Sequence, residues 1–257
     1  MKIPTKFVEK AKFVATIFTD VEREYDALLG IMTFGLDWTW RRRLLSRIHY
    51  QQATCMLDLA CGTGLVTFPL SRSMGSRGLV VGLDPSTSML RIALRRKHAT
   101  KTRCSLEFIR AVGEFMPFRD GIFEYETIGL ALRNFGDKSA MFREAHRTLA
   151  NSGWLLSVDF VVPTKSLVRR LYMFHIFNVL PTLGRLVSSS WHRTLAYLAR
   201  SIQLSASPAE TLRLLSRGGF RRTFSEKITL GVVALVGGQK QETGSLVGAI
   251  PSVFQRL

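Results

Sequence analysis

The chain has 257 residues, with 36 Lys and Arg against 19 Asp and Glu, a formal charge of +17. An apolar content of 46% excludes a wholly disordered chain. Three cysteines without a CxxC pair exclude a disulfide framework and give no zinc-site spacing. The length suits one large α/β domain or two small ones. The positive charge fits nucleic acid, anionic membrane, acidic ligands or solubility alone.

Residues 7–29 predict a helix, with Phe7, Val14, Ile17, Phe18, Val21, Tyr25 and Leu28 roughly on one face. This segment lacks the unbroken apolar stretch of a secretory signal, and Glu9, Asp20, Glu22 and Glu24 argue against a transit peptide. A second helix is predicted over 38–50, loaded with Arg41, Arg42, Arg43 and Arg47. The pattern then changes to strands at 55–60, 78–83, 106–110 and 123–130, with helices from Leu65, from Ser86 to about Arg96, and over 139–149. Asn151-Ser152-Gly153 reads as a turn into a strand over 154–160. Strands alternating with helices imply parallel βαβ units.

Past Pro163 the alternation lapses, and residues 165–204 read as mostly helical, apolar and basic. No acidic residue occurs from Phe160 to Ala209, against six basic ones: Lys165, Arg169, Arg170, Arg185, Arg193 and Arg200. A helix opens at Ser207-Pro208 and stops at Gly218-Gly219, and strands close the chain over 220–223 and 230–236. The tail carries Leu246, Val247, Ile250, Val253, Phe254 and Leu257 at helical spacing. The apolar run Leu171–Gly184 has 14 residues and contains Pro181. A membrane span needs about 20, so no transmembrane helix is expected.

The sharpest motif is Asp58-Leu-Ala-Cys-Gly-Thr-Gly64, where the first strand turns into its helix. Glycines let a ligand approach the backbone closely. Asp84 closes the second strand 22 residues after Gly62, a spacing that suits a carboxylate on a ribose diol. The third glycine of a dinucleotide turn would fall at Thr67. Asp58 also places an anion beside the turn, unfavourable for a pyrophosphate and favourable for a sulfonium or an α-amino group. The structural alternative, a plain tight turn, is the weaker reading of these residues together.

LDLACGTG and GLDPSTSML resemble class I S-adenosylmethionine-dependent methyltransferases, and more narrowly the UbiE/MenG/COQ5 family of quinone-biosynthesis C-methyltransferases. YDALLGIMTFGLDWTW is similar to that family's Y-D-x-M-N-x-x-M-S-x-G-x-x-x-x-W. MPFRDGIFEYETIGLALRNFGDKSAMFREAHRTLANSGWLLSVDF is similar to its run from P-F-x-D through L-R-N to L-E-F. The resemblance covers roughly residues 14–240. It implies a Rossmann-like α/β sheet, mostly parallel, of seven strands with the last antiparallel. N-terminal helices over 1–50 form a cap, and residues 51–257 form the cofactor-binding domain, with a helical insertion at about 164–206.

Carried over residue by residue, the resemblance implies an S-adenosylmethionine site of Asp58, Gly62, Thr63, Gly64, Asp84, Met89, Val112 and Glu114. Tyr25, Arg133 and Asn134 fall on the acceptor side as catalytic candidates, and no metal is implied. The family's adenine-side Asn or Asp is Val112 here, its Asn after Tyr-Asp is Leu29, and its Leu-Glu-Phe glutamate is Asp159. The implied reaction transfers a methyl group to a ring carbon of a polyprenyl quinol, demethylmenaquinol foremost, with Arg133 steadying the phenolate. Other readings are a methoxy-benzoquinol, another small molecule, RNA, or a binding protein that kept the fold.

Bland readings stand beside these: Arg133 paired with Asp137, Tyr25 as core, His175 as a packed histidine, Asp159 as structural. The implied partners are a quinol and an anionic membrane surface touched peripherally from the cytoplasm, with no nucleic acid. A dimer face is a further reading of the helices over 165–204.

Overall fold

The computed structural model describes residues 7–22, 24–51 and 53–241. Among them, seven strands form one sheet: β1 (Cys55–Leu59), β2 (Leu79–Leu83), β3 (Ser105–Ile109), β4 (Phe123–Gly129), β5 (Leu149–Phe160), β6 (Phe220–Ile228) and β7 (Val233–Lys240). Their order is β3-β2-β1-β4-β5-β7-β6. The first five strands run parallel, and β7 runs antiparallel to both β5 and β6. The chain reverses its strand order between β1 and β4, so the carboxyl ends of β1, β2 and β4 open a crevice of the kind that binds ligands in such sheets.

Alternate residues of each strand face opposite layers. Met56, Val80, Leu106, Leu156 and Val158 pack in one core with α2 (Tyr25–Thr33), α3 (Leu36–Leu45), α4 (Thr67–Ser73), α8 (Leu180–Val187) and α9 (Ser189–Gln203). Leu57, Val81, Ile128 and Leu155 pack in the other with α6 (Lys138–Thr148) and α10 (Pro208–Arg217). The outer helices are α1 (Phe7–Thr19), α5 (Thr87–Ala99) and α7 (Ser166–Phe174), and a π-helical turn at His175–Val179 joins α7 to α8. Side chains of Ser86, Asp137, Ser188 and Ser207 cap α5, α6, α9 and α10.

Several predicted boundaries move, each for a local reason. The helix expected over 7–29 is two helices. A turn with Val21 N–H on Phe18 O and Glu24 N–H on Val21 O seats Val21 in the interior. The helix expected over 38–50 ends at Leu45. The helix expected from Leu65 starts at Thr67, leaving two more residues in the glycine turn. Residues 149–153, expected as helix end and turn, begin β5, where a register shift and Ser152 at φ +62° absorb them. β6 runs to Ile228 rather than Thr223. It is an edge strand, and Arg221, Arg222, Glu226 and Lys227 hide its alternation. The strand expected from Leu230 starts at Val233, because Thr229, Leu230 and Gly231 take left-handed backbone. The apolar positions 246–257 lie outside the described residues. Among the described residues no helix is long and apolar enough to cross a membrane.

Candidate functional site

At the carboxyl ends of β1 and β2 the chain turns sharply. Ala60, Gly62 and Gly64 take φ +53°, +55° and +89°. Gly62 has open space where a Cβ would stand, whereas a Cβ on Gly64 would come within 2.5 Å of the Phe68 ring. One glycine thus leaves room for a ligand, and the other lets α4 close on the turn. Cys61 N–H donates to Leu83 O at 3.1 Å, tying the turn to the end of β2.

The turn forms the floor of a cavity with about 1010 Å³ of open space. Its floor carries Asp58, Gly62, Thr63, Asp84 and Met89, and Val112 to Glu114 form one wall. Ala11, Val14, Ala15 and Phe18 of α1 form the roof. Tyr25 and Leu29 of α2, Arg41 of α3, and Asn134 after β4 complete the lining. The lining is mostly apolar, with a few placed polar groups, the usual make-up of a small-molecule site.

The carboxyls are held by the protein itself. Asp58 accepts from Thr67 Oγ1 at 2.6 Å and from Thr127 Oγ1 at 2.9 Å. Asp84 accepts from the Gly62 and Ser86 amides at 2.9 and 2.8 Å. Burial nevertheless pushes Asp58 up to about 7 and Asp84 up to about 6. Two carboxyls driven toward neutrality in one cavity are the electrostatic counterpart of a cationic guest, which would restore their charge. That donor set, with the open face at Gly62, fits S-adenosylmethionine, with Asp84 for the ribose and Asp58 for the cationic end.

Of the expected cofactor residues, Asp58, Gly62, Thr63, Asp84, Met89, Val112 and Glu114 line the cavity, and Gly64 lies beneath it. Glu114 Oε1 accepts from the Gly136 and Asp137 amides, so the side chain also fixes the loop that starts α6. Val112 O accepts from Phe115 N–H, which turns the wall at that point.

The three catalytic candidates separate. Tyr25 lines the cavity, and burial pushes its phenol up to about 12, so it stays protonated and able to donate. Asn134 also lines it. Its Oδ1 accepts from Tyr197 Oη at 2.8 Å, and its amide nitrogen has no partner among the described residues. Arg133 does not line the cavity. Its backbone N–H donates to Asp159 Oδ2, its Nη1 to Asp159 Oδ1 and Leu130 O, and its Nε to Ser201 Oγ at 3.3 Å. The Phe160 ring lies under the guanidinium at 5.2 Å.

The Arg133 partner is therefore Asp159 and not Asp137, whose side chain caps α6. Asp159 is engaged wholly within the protein, accepting also from Phe160 N–H. His175 lies outside the cavity, against Phe34 at 5.8 Å, with burial lowering its pKa.

Two supports escaped the sequence. Thr63 Oγ1 donates to Asp26 Oδ1 at 2.8 Å, and Arg96 bridges Asp26 and Thr63 O. Tyr197 comes from α9, with no local signal that it would meet Asn134. Only the Asp26-to-Tyr25 adjacency carried a hint.

The chain matches the sequence model of the ubiE/COQ5 methyltransferase family over residues 5–240. It is 33% identical over 232 residues to the ubiquinone/menaquinone biosynthesis C-methyltransferase UbiE of Pseudoalteromonas translucida, covering 90% of this chain and 92% of that one. It is 34% identical to the protein of the same name in Marinomonas sp., covering 93% and 94%. Among solved structures, an S-adenosylmethionine-dependent methyltransferase of Thermotoga maritima aligns with TM-score 0.61 at 17% identity, over 88% of this chain and 99% of that one. Phosphoethanolamine N-methyltransferase 2 of Haemonchus contortus, in complex with S-adenosyl-L-methionine, aligns with TM-score 0.57 at 15% identity, over 80% and 53%.

Proposed function

Because the chain belongs to the ubiE/COQ5 methyltransferase family, we propose that it methylates a ring carbon of a polyprenyl quinol, demethylmenaquinol foremost. The cofactor is S-adenosylmethionine, which when bound supplies an electrophilic methyl group on a cationic sulfur. The observation that carries the reading is one continuous cavity. Cofactor-type carboxyls at Asp58 and Asp84 share it with the donors Tyr25 and Asn134 and with apolar side chains such as Leu29 and Phe18.

The chain's own groups divide the work. Asp84 and the Gly62 turn hold the ribose end, and Asp58 faces the cationic end. Tyr25 and the Asn134 amide donate to the oxygens of the quinol, which fixes the ring so that one carbon meets the methyl group. Such positioning accounts for up to about 7–11 kcal/mol of a barrier in favourable systems. The apolar side chains of α1 cover this part of the cavity.

The partner we propose is an anionic membrane surface. No side chain of α7 is buried, and Leu167, Leu171 and Phe174 stand exposed beside Lys165, Arg169 and Arg170. The Phe34–His175 contact joins this face to exposed Ile31, Phe34 and Trp38, where Arg42 covers the Trp38 ring at 4.6 Å. Apolar side chains rimmed by arginine suit docking on anionic lipid and admission of an isoprenoid tail.

The test is incubation with labelled cofactor and, in parallel, demethylmenaquinol, a 2-methoxy-6-polyprenyl-benzoquinol and RNA. Label in demethylmenaquinol at the highest rate is expected. Label in RNA, or in none of the three, would overturn the reading.

A further inference from the structure

Among the described residues one arginine lines the cavity, and it is Arg41, not Arg133. Arg41 is 8% exposed and sits on a ladder spaced four residues apart. Thr33 Oγ1 donates to Asp37 Oδ1 at 2.8 Å, and Arg41 Nη2 donates to Asp37 Oδ2. A guanidinium carries five N–H donors. Arg133 has partners at Nε and Nη1, and Arg147 reaches Glu144, Asp120, Phe118 O and Met116 O. For Arg41 the hydrogen bond to Asp37 accounts for one donor, and the residue lines the cavity, where its charge acts on Tyr25.

Its direction of approach narrows what it meets. Trp40 anchors α3, donating from Nε1 to Thr229 Oγ1 at 2.7 Å and meeting the Phe160 ring edge-on at 5.5 Å. Phe160 ends β5 and Thr229 precedes β7, so the helix that carries Arg41 packs at the β5–β7 side. Asp84 stands on the end of β2, with β1 and β4 in between. Strands lie about 4.8 Å apart, so β2 and β5 are separated by roughly 14 Å. Arg41 therefore stands on a helix packed at the β5–β7 side of the sheet, away from the strand that carries the ribose carboxylate. An anionic oxygen placed between Arg41 and a sulfonium would be attracted by both.

We propose that Arg41 is the acceptor-contacting cation of this site, hydrogen-bonding the phenolate oxygen of the ring that is methylated. The acceptor's hydroxyl gives its proton to water, and the guanidinium holds the resulting oxyanion, making the ring carbon more electron-rich. Arginine suits the task because it remains protonated throughout. The proposal rests on the reading of the acceptor as a hydroxylated aromatic ring.

The experiment is a spectroscopic titration of 4-nitro-1-naphthol, whose phenolate is coloured, bound to the protein with S-adenosylhomocysteine present. Wild-type protein, Arg41→Met and Arg41→Lys are compared, with cofactor affinity measured on each as the check of folding. The bound probe is expected to ionise about one pH unit higher in Arg41→Met, a tenfold change in its ionisation constant. Arg41→Lys should fall between, with S-adenosylhomocysteine affinity within about twofold of wild type throughout. A lost cofactor affinity with unchanged probe ionisation would overturn the proposal, since Arg41 would then hold the cofactor's carboxylate. Unchanged values in both would also overturn it, leaving Arg41 only its bond to Asp37. The probe is not a quinol, so failure of demethylmenaquinol as substrate and failure of this proposal are separate results.

Discussion

The hydroxyl of Thr63 and the carboxylate of Asp26 are joined at 2.8 Å, linking the glycine turn of β1 to the helix that carries Tyr25. Arg96 of α5 closes the link by binding both Asp26 and the Thr63 carbonyl. Two elements distant in sequence, α2 and α5, thus set the position of the turn. Asp26→Asn keeps the size and removes the charge. We expect S-adenosylhomocysteine affinity to fall about tenfold, or about 1.4 kcal/mol, by calorimetry, with little change in melting temperature because the pair is part-exposed.

Tyr197 orients Asn134 from α9. Tyr197→Phe removes only the hydroxyl that holds Asn134 Oδ1. With the amide free to rotate, kcat should drop about tenfold, as expected for a lost hydrogen bond of roughly 1.4 kcal/mol. Cofactor affinity should not move. A matching fall in Asn134→Ala, with no further fall in the double variant, would identify the two as one unit.

Arg133 and Asp159 form a buried ion pair. Replacing Arg133 with Met leaves Asp159 unpaired, and the cost should be about 3–5 kcal/mol, read as a lowered melting temperature. The double variant Arg133→Met/Asp159→Leu should be less destabilised than the single one. This outcome separates a structural arginine from one that meets the acceptor.

Glu126 lies wholly buried in β4, with Thr148 Oγ1 donating to Oε1 and no partner for Oε2 among the described residues. Burial raises its pKa well above the ordinary value. Such a group stabilises the fold fully below its unfolded pKa of about 4.3, and that contribution fades as pH rises through the folded value. Glu126→Gln should therefore raise the melting temperature by a few degrees at about pH 7.5 and leave it nearly unchanged at about pH 4.

The charged face of α7 gives a prediction about membranes. Cosedimentation should rise with anionic lipid content and fall with salt, and Phe34→Ser with Arg169→Glu should weaken it. Binding that ignores both lipid charge and salt would remove the membrane role assigned to this surface.

The cofactor half was legible because its signals are local. A strand end, two glycines and a carboxylate at the next strand end lie at set spacings, and Asp58, Gly62 and Asp84 meet where that spacing implies. The acceptor half was less legible because its contacts are long-range. Asp159 reaches Arg133 from the end of β5, and Tyr197 reaches Asn134 from a different helix. Arg41 read as one cation among four in a basic helix. Only Asp37, one turn earlier, distinguishes it from Arg42 and Arg43, which are exposed. The edge strand β6 carries charge on a face that needs no burial, which hides its full length in the sequence.

The claim that the acceptor is a quinol carbon is tested most directly by where the transferred methyl group resides. With isotope-labelled methyl on the cofactor and reduced demethylmenaquinol as acceptor, the product's NMR spectrum should show the label as a methyl bonded to a ring carbon. A labelled methoxy carbon, or no label in the quinol while another acceptor is methylated, would contradict it.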